Sequence, residues 1–221
     1  MIRWFLFLPY LELYMDENNN SLLGKILIKR SMYCLFNKSS FFLSRENQIT
    51  ALAHKDKNKD ALLKKLKSKY RNEIRALDRR FATEQILISE KKKLDKKLIN
   101  FLLINYRGQK PNIKKLIKLC NSQNLKNFIF TFEGLIICCQ QWIINGNRAR
   151  LIYNIADYKL MKKFKINSAN KFLMFQSIID LNNKNYKIID LGGLSNKNNN
   201  IDKFKRQFSR KELISHNIIY F

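Results

Sequence analysis

Apolar residues recur with two different periods along this chain, and each period predicts one kind of element. From residue 58 to residue 81 they recur at three- and four-residue steps, which predicts an amphipathic helix. The apolar stripe of that helix consists of Leu62, Leu66, Tyr70, Ile74, Leu77 and Phe81. After residue 126 the period becomes two, as in β-strands. The predicted strands are 127–133, 135–144 and 148–155, and Asn145-Gly146-Asn147 between the last two is a strong hairpin signal.

Shorter apolar runs predict the remaining elements. Further strands are expected at 22–36, 48–54, 85–89, 186–191 and 214–221, and further helices at 91–107, 111–124, 168–182 and 201–208. The order of three antiparallel strands, a helix, a parallel strand, a helix and a last strand resembles the second half of an acetyltransferase-like fold. The sequence therefore predicts an α/β protein with a GNAT-like mixed sheet, built from an antiparallel meander and flanking helices.

The chain carries a large excess of positive charge. Its 221 residues include 43 Lys and Arg against 17 Asp and Glu, which gives a formal net charge of +26. Such a charge attracts polyanions, among them RNA, nucleotide-linked phosphates and anionic membrane. The abundance of Lys, Asn and Ile is equally typical of a genome rich in A and T. The charge is therefore compatible with a polyanionic partner and does not demonstrate one.

The second face of the predicted helix 58–81 is basic. Its cations recur every four residues, at Lys67, Arg71, Arg75 and Arg79. The simpler interpretation is a solvated face. The functional alternative makes Arg71 and Arg75 contacts for phosphate, because a planar guanidinium donates two parallel hydrogen bonds.

Neither a metal site nor a membrane-spanning segment is predicted. The four cysteines, Cys34, Cys120, Cys138 and Cys139, lack C-x-x-C spacing, and only two histidines are present. A reduced, cytoplasmic protein without a metal is therefore expected. The apolar run 1–14 is too short to span a bilayer. It predicts a core strand or a segment that docks on the inner face of the membrane.

The stretch KIIDLGGLSNKNNNIDKFKRQF (187–208) carries the candidate chemistry. An apolar strand ends at Asp190, and Gly192 and Gly193 follow, where the backbone can approach a ligand closely. After a polar loop, Phe204 and Lys205 lie on a short predicted helix that can bring a positive charge to the same crevice. Judged from these residues alone, Lys205 is better explained as a solvated lysine on a lysine-rich chain.

Two parts of this stretch resemble the signature of the Fem-type aminoacyltransferases, the peptidoglycan-branching enzymes built from GNAT-like domains. IDLGG (189–193) matches a strand end of the form aromatic-Asp-x-Gly-Gly, and FKRQF (204–208) matches an F-K-x-x-F element. YRNEIRALDRR (70–80) is similar to the family's basic helix. The stretch 149–180 is similar to the strand and helix that follow it. The resemblance covers roughly residues 60–210.

The sequence departs from the family pattern at two places. Ser209 and Arg210 stand where the family commonly has two glycines after F-K-x-x-F. Full-length members carry two GNAT-like units, whereas residues 1–57 can supply only a remnant of the first. The resemblance therefore implies a shortened N-terminal remnant at 1–57 and a GNAT-like acyltransferase domain at 58–221.

The resemblance implies an N-acyltransferase, most simply an aminoacyltransferase acting on an amine of a nucleotide- or lipid-linked cell-wall precursor. It assigns Lys205 to the active site, where a cation stabilises a negatively charged transition state. Phe204 would pack against the substrate and exclude water. Asp190 would either accept the proton or orient the loop.

The glycine pair and the basic helix complete the implied site. Gly192 and Gly193 would let backbone N–H groups approach acyl or phosphate oxygens, and Arg71 and Arg75 would contact phosphates of the acceptor or of tRNA. The implied donor is aminoacyl-tRNA, with no further cofactor. Acyl-CoA is the second choice, as for an N-acyltransferase acting on an amino sugar, because no glycine-rich turn follows Ile155. A different class, a non-enzymatic basic RNA-binding module, is the remaining alternative and rests on charge alone.

Overall fold

The computed structural model describes residues 2–5, 8–11, 44–91, 93–105, 114, 117, 125–194 and 199–219. The chain divides into two compact units, one of Met1–Ile49 with Leu213–Phe221 and one of Thr50–Glu212. In the first unit, strand β1 (Ile2–Phe5) pairs antiparallel with β2 (Leu8–Leu11). Strands β3 (Ser44–Ala53) and β9 (Ser209–Ile219) run across the boundary between the units.

The second unit is built from six helices and the remaining strands of the described chain. In chain order these are α1 (Lys59–Lys65), α2 (Ser68–Phe81), β4 (Ile86–Lys91), α3 (Lys96–Asn105), β5 (Leu125–Phe132), β6 (Leu135–Asn145), β7 (Arg148–Ala156), α4 (Tyr158–Lys163), α5 (Ala169–Asn183), β8 (Ile188–Leu194) and α6 (Asn200–Phe208). Among the described residues, seven strands form one sheet in the order β4-β5-β6-β7-β8-β3-β9. Strands β4 to β7 are antiparallel and β8 is parallel to β7, which confirms a mixed α/β sheet with an antiparallel meander.

The meander follows the hydrophobic period closely. Strands β5, β6 and β7 begin and end within two residues of their predicted bounds. The turn between β6 and β7 places Gly146 at a φ of 53°, in the left-handed region that favours glycine, so the predicted hairpin is confirmed. A register shift between Gln141 and Trp142 leaves one extra residue on β7, which marks a β-bulge.

Helices cover the two faces of the sheet. On one face an apolar cluster joins α3 to the meander through Leu98, Leu102, Ile129, Cys139 and Ile155. On the other face α5 packs on β5 and β6, and the ring of Phe172 meets that of Phe130 edge-on at 6.4 Å. Because both faces are covered, β6 is buried along most of its length.

The single helix predicted at 58–81 is wrong in one respect, because the structure divides it. Asn58 caps α1 by accepting from the N–H groups of Asp60 and Ala61. Leu66 and Lys67 then adopt extended backbone before α2 begins. Leu66 is buried at 4% exposure. No Gly or Pro marks this break, so we attribute it to tertiary packing, which overrides local helix propensity.

The other predicted elements are partly outside the described residues, and the structure contains one helix that was not predicted. The structure adds α4, which the hydrophobic pattern did not predict. The strand predicted at 22–36 and nearly all of the helix predicted at 111–124 lie outside the described residues. The origin of residues 1–57 as a remnant of a first unit stays a prediction. Within the described ranges, every helix is too short or too polar to cross a membrane.

Candidate active site

The candidate site lies where β7 and β8 cease to pair. Their paired positions are Arg148 with Ile188, Ala149 with Ile189 and Arg150 with Asp190, and the two described strands share no others. A cavity of about 780 Å³ is lined by the rest of β7, by Leu191 of β8 and by the first half of α6. Other helices contribute polar residues to its wall, namely Tyr70, Asn105, Tyr158 and Asn170.

Lys205 brings positive charge to this cavity, as predicted from its place in α6. Its Nζ donates a hydrogen bond of 2.6 Å to the carbonyl oxygen of Gly193. Burial lowers the pKa of the Lys205 ammonium, the carboxylates of Asp202 and Asp190 oppose that shift, and the charge of Arg150 adds to it. The lysine is therefore held in a low-dielectric wall of the cavity, in contrast to an ordinary solvated lysine.

Asp190 is fully buried at the end of the paired stretch. Its Oδ2 accepts a hydrogen bond of 2.8 Å from Nη2 of Arg148 and lies 3.6 Å from Nε of Arg150. Its Oδ1 accepts from the backbone N–H of Gly192 at 2.7 Å. Donors from the chain itself thus engage both carboxylate oxygens, and the carboxylate joins β7 to the glycine turn of β8.

Close approach of the neighbouring strand requires a glycine at position 192. Gly192 has a φ of 83°, and a Cβ placed there would lie 3.0 Å from the carbonyl oxygen of Leu151 and 3.4 Å from Nζ of Lys205. A side chain would therefore strain the backbone and collide with the neighbouring strand. Gly193 supplies the carbonyl that holds Lys205. The N–H of Gly192 donates to Asp190 in this structure.

Phe204 lines the cavity and belongs to an aromatic row. Its ring centroid lies 5.4 Å from that of Phe208, which in turn lies 5.9 Å from Tyr70 of α2. The Nζ of Lys171 lies 4.6 Å from the centre of the Tyr70 ring and forms an ion pair with Glu73. This row fixes α6, and with it Lys205, against α2.

The predicted phosphate contacts Arg71 and Arg75 lie elsewhere on α2. Arg71 is partly buried and Arg75 is exposed. Neither is among the residues that line the cavity, although Tyr70 of the same helix is. The structure brings Lys205, Phe204 and the glycine pair together with Asp190 behind them. A role for the two arginines stays a prediction.

Sequence reasoning missed the partners of the predicted residues. Arg148 and Arg150 are assigned by the β7–β8 register, which no local motif reveals. Asn154 and Asn170 also line the cavity, although the resemblance of the stretch 149–180 assigned neither of them to the site. In the described part of the chain, no cluster of His, Cys, Asp or Glu side chains could hold a metal ion.

Comparison with known proteins supports the fold. The sequence matches no protein-family profile and no curated protein. The structure is similar to that of FemX, with a TM-score of 0.55 and 10% sequence identity over 76% of this chain and 59% of FemX. It is also similar to the C-terminal domain of a candidate lysylphosphatidylglycerol synthetase from Agrobacterium fabrum, with a TM-score of 0.55 and 13% identity over 86% of this chain and 64% of that domain.

A third similar structure, a conserved protein of unknown function from Bacteroides thetaiotaomicron, has a TM-score of 0.52 and 13% identity over 85% of this chain and 64% of its own. The chain thus spans 59–64% of the length of these three structures. These likenesses confirm the predicted resemblance at the level of fold. The chain therefore shares its fold with FemX and with these two other structures.

Proposed function

We propose that this protein is an N-acyltransferase of the Fem type, which transfers an aminoacyl group from tRNA to an amine of a nucleotide- or lipid-linked cell-wall precursor. The observation that carries the proposal is the ammonium of Lys205, held against Gly193 in the wall of a 780 Å³ cavity. The fold shared with FemX supports it. A fold neighbour named for the synthesis of lysylphosphatidylglycerol supports a lipid-linked acceptor as well.

The proposal includes a GNAT-like domain at 58–221. Its support is the order of elements around the cavity. The antiparallel meander is followed by α5 and then by β8, a parallel strand that pairs with β7 at only three positions. We place the enzyme in the cytoplasm, with the inner face of the membrane as the alternative location. An acyltransferase of this kind takes no cofactor apart from its acyl donor.

The reaction forms one C–N bond and breaks one C–O bond. The lone pair of the acceptor amine attacks the carbonyl carbon of the aminoacyl ester, and the π electrons of the carbonyl move onto its oxygen. The tetrahedral oxyanion then collapses and expels the ribose oxygen of the tRNA, which takes up the proton that the amine loses. In the proposed arrangement the Lys205 ammonium lies beside the oxyanion and stabilises it.

The other predicted residues have supporting roles in this scheme. Phe204 forms an apolar part of the wall and excludes water from the acyl group. Asp190 is fully buried behind the cavity and holds Arg148 and Gly192. That geometry supports the orienting role of Asp190 over the alternative role of general base.

The test is an acyl-transfer assay with the full chain. The donors are tRNA charged with radiolabelled amino acids and, in a second arm, acetyl-CoA; the acceptors are a nucleotide-linked muropeptide, an amino sugar and phosphatidylglycerol vesicles. We expect transfer from aminoacyl-tRNA, and a loss of about 10²–10³-fold in kcat for Lys205→Ala, typical of removing one group that stabilises the oxyanion. Lys162→Ala is the matched control, because Lys162 is an exposed lysine outside the cavity.

Three results would redirect the proposal. Transfer from acetyl-CoA alone would keep the enzyme and change its donor. Full activity of Lys205→Ala would remove the lysine from the mechanism. The third result is that tRNA binds with an affinity that falls steeply as salt rises, while no acyl donor is consumed. In that case the protein is a basic RNA-binding module.

A further inference from the structure

A chain of polar side chains crosses the otherwise apolar layer between α5 and the sheet. It begins at Ser177 of α5, passes through Gln140 of β6 and ends at Asn154 of β7. Ser177 and Gln140 are fully buried. Asn154 is partly exposed and lines the cavity that contains Lys205. Buried polar groups are costly in such a layer unless they are hydrogen-bonded. These hydrogen bonds therefore hold the three side chains in place more strictly than apolar contacts would.

The hydrogen bonds that link these three side chains all run in one direction, from Ser177 to Asn154. The hydroxyl of Ser177 donates to Oε1 of Gln140 at 2.8 Å, and the same hydroxyl lies 3.0 Å from the carbonyl oxygen of Met174. Nε2 of Gln140 donates to Oδ1 of Asn154 at 3.2 Å. Since Oδ1 of Asn154 is turned to Gln140, the amide nitrogen Nδ2 is the polar atom that Asn154 offers to a ligand in the cavity.

The strand register supports the same arrangement. Gln140 and Asn154 are directly opposed on β6 and β7, so their side chains lie on the same face of the sheet. Tyr153, the preceding residue, packs instead on the apolar cluster under α3. The donor atom of Asn154 therefore occupies a fixed place on a strand, supported from behind by two fully buried side chains.

We propose that Asn154 is a second oxyanion-binding residue, whose Nδ2 donates a hydrogen bond to the carbonyl oxygen of the acyl donor; the inference rests on the acyl transfer proposed above. When the amine attacks the carbonyl carbon, the π electrons move onto that oxygen, and the hydrogen bond from Asn154 strengthens as the charge develops. Lys205 supplies a cation and Asn154 a directed neutral donor. The bond that breaks and the fate of the proton are those given above.

The kinetic test compares four variants in the aminoacyl-transfer assay. Asn154→Ala should lower kcat by about 10²–10³-fold with little change in KM, because the lost interaction strengthens only in the transition state. Asn154→Asp should lose as much activity, because it keeps an acceptor for Gln140 and has no amide N–H. Ser177→Ala should lose less, about 5- to 10-fold, since one supporting hydrogen bond is removed. Asn183→Ala, at an exposed position late in α5, is the control.

Hydrogen exchange gives a readout that does not depend on activity. In a ¹⁵N-labelled protein, the side-chain NH₂ protons of Gln140 should exchange slowly and those of Asn154 quickly. Slow exchange at Asn154 would mean that its amide donates to Gln140, with Oδ1 turned to the cavity, and would overturn the proposal. An active wild type with an equally active Asn154→Asp would overturn it too. A wild type that transfers no acyl group would instead overturn the proposed function itself, and this inference with it.

Discussion

The strand pair β7–β8 has two ends with different properties, and only a few residues separate one end from the other. At the closed end, backbone pairing and the contact of Arg148 with Asp190 join the strands. At the open end, Leu191 and the end of β7 line a cavity, and Lys205 reaches its wall. The closed end buries opposite charges together, whereas the open end holds a partly buried ammonium beside a ligand-sized space. Stability is therefore concentrated in one part of this strand pair and chemistry in the other.

Breaking the closed end should have the largest effect. Asp190→Ala leaves Arg148 and Arg150 without their shared carboxylate in a mostly buried setting. We expect the free energy of unfolding in urea to fall by about 3–5 kcal/mol, as for removal of one partner of a buried ion pair. Asp60→Ala, at an exposed position in the first turn of α1, is the control and should cost less than about 1 kcal/mol. Equal losses in the two variants would contradict the comparison.

The turn between the two ends should come next. Gly192→Ala combines an unfavourable φ with a Cβ that would lie 3.0 Å from the backbone oxygen of Leu151. Gly134→Ala is a matched control, since Gly134 has a φ of 72° and no atom within 4 Å of its ideal Cβ. The control should cost about 1–2 kcal/mol for left-handed backbone alone. Gly192→Ala should cost more by urea unfolding, and the difference measures the collision with β7.

The open end should respond to pH. Burial lowers the pKa of Lys205, so between the lowered pKa and its ordinary value of 10.5 the unfolded chain binds more protons than the folded protein. The free energy of unfolding contributed by Lys205 therefore rises with pH across that interval. Lys205→Met should abolish this rise and stabilise the protein at neutral pH. Thermal unfolding measured from neutral to alkaline pH checks this, and an unchanged pH profile would refute it.

The same lysine should set an alkaline limit on activity. If the protonated form stabilises the oxyanion, kcat for acyl transfer falls as pH rises through the lowered pKa, with a midpoint below 10.5. Lys205→Arg should move that fall to higher pH, because a guanidinium stays protonated. A fall at the same pH in both proteins would assign the limit to another group.

The smallest effect is expected away from both ends, on the basic face of α2. Replacing Arg71 and Arg75 together by Ala should leave kcat unchanged, since neither residue lines the cavity. If they contact tRNA phosphates, the dependence of log binding constant on log salt should become shallower by about 0.7–0.9 per lost contact. Replacing the exposed Lys93 and Lys96 by Ala is the control. An unchanged salt dependence would make this face merely solvated.

The meander and α5 could be predicted because the sequence signals that specify them lie within the elements themselves. Alternation of apolar residues and the hairpin at Asn145-Gly146-Asn147 are readable without knowing what the strands contact. The break at Leu66 carries no such signal, since its extended backbone accompanies burial in the tertiary structure. Helix α4 has only six residues, and its one sequence signal is Asp157, whose carboxylate caps it.

The candidate site was predictable in part for the same reason. Lys205, Phe204 and the glycine pair lie in one short stretch, where a resemblance can identify them. Arg148 is 42 residues from the carboxylate it contacts, so only the strand register brings them together. Asn154 is one asparagine among many, and its significance comes from Gln140 on the neighbouring strand.

The burial of two consecutive cysteines on β6 offers a way to time local opening. Cys138 and Cys139 are both fully buried, and successive residues of a strand point to opposite faces. Cys139 lies in the cluster under α3, so Cys138 faces the layer that contains α5. Burial raises the pKa of both thiols, which makes them unreactive until the surrounding layer opens. Two variants, each with Cys34 and Cys120 replaced and only one of the two buried thiols retained, would separate the two layers. The rate at which the retained thiol is alkylated in the native protein then reports how often the layer on its side of the sheet opens.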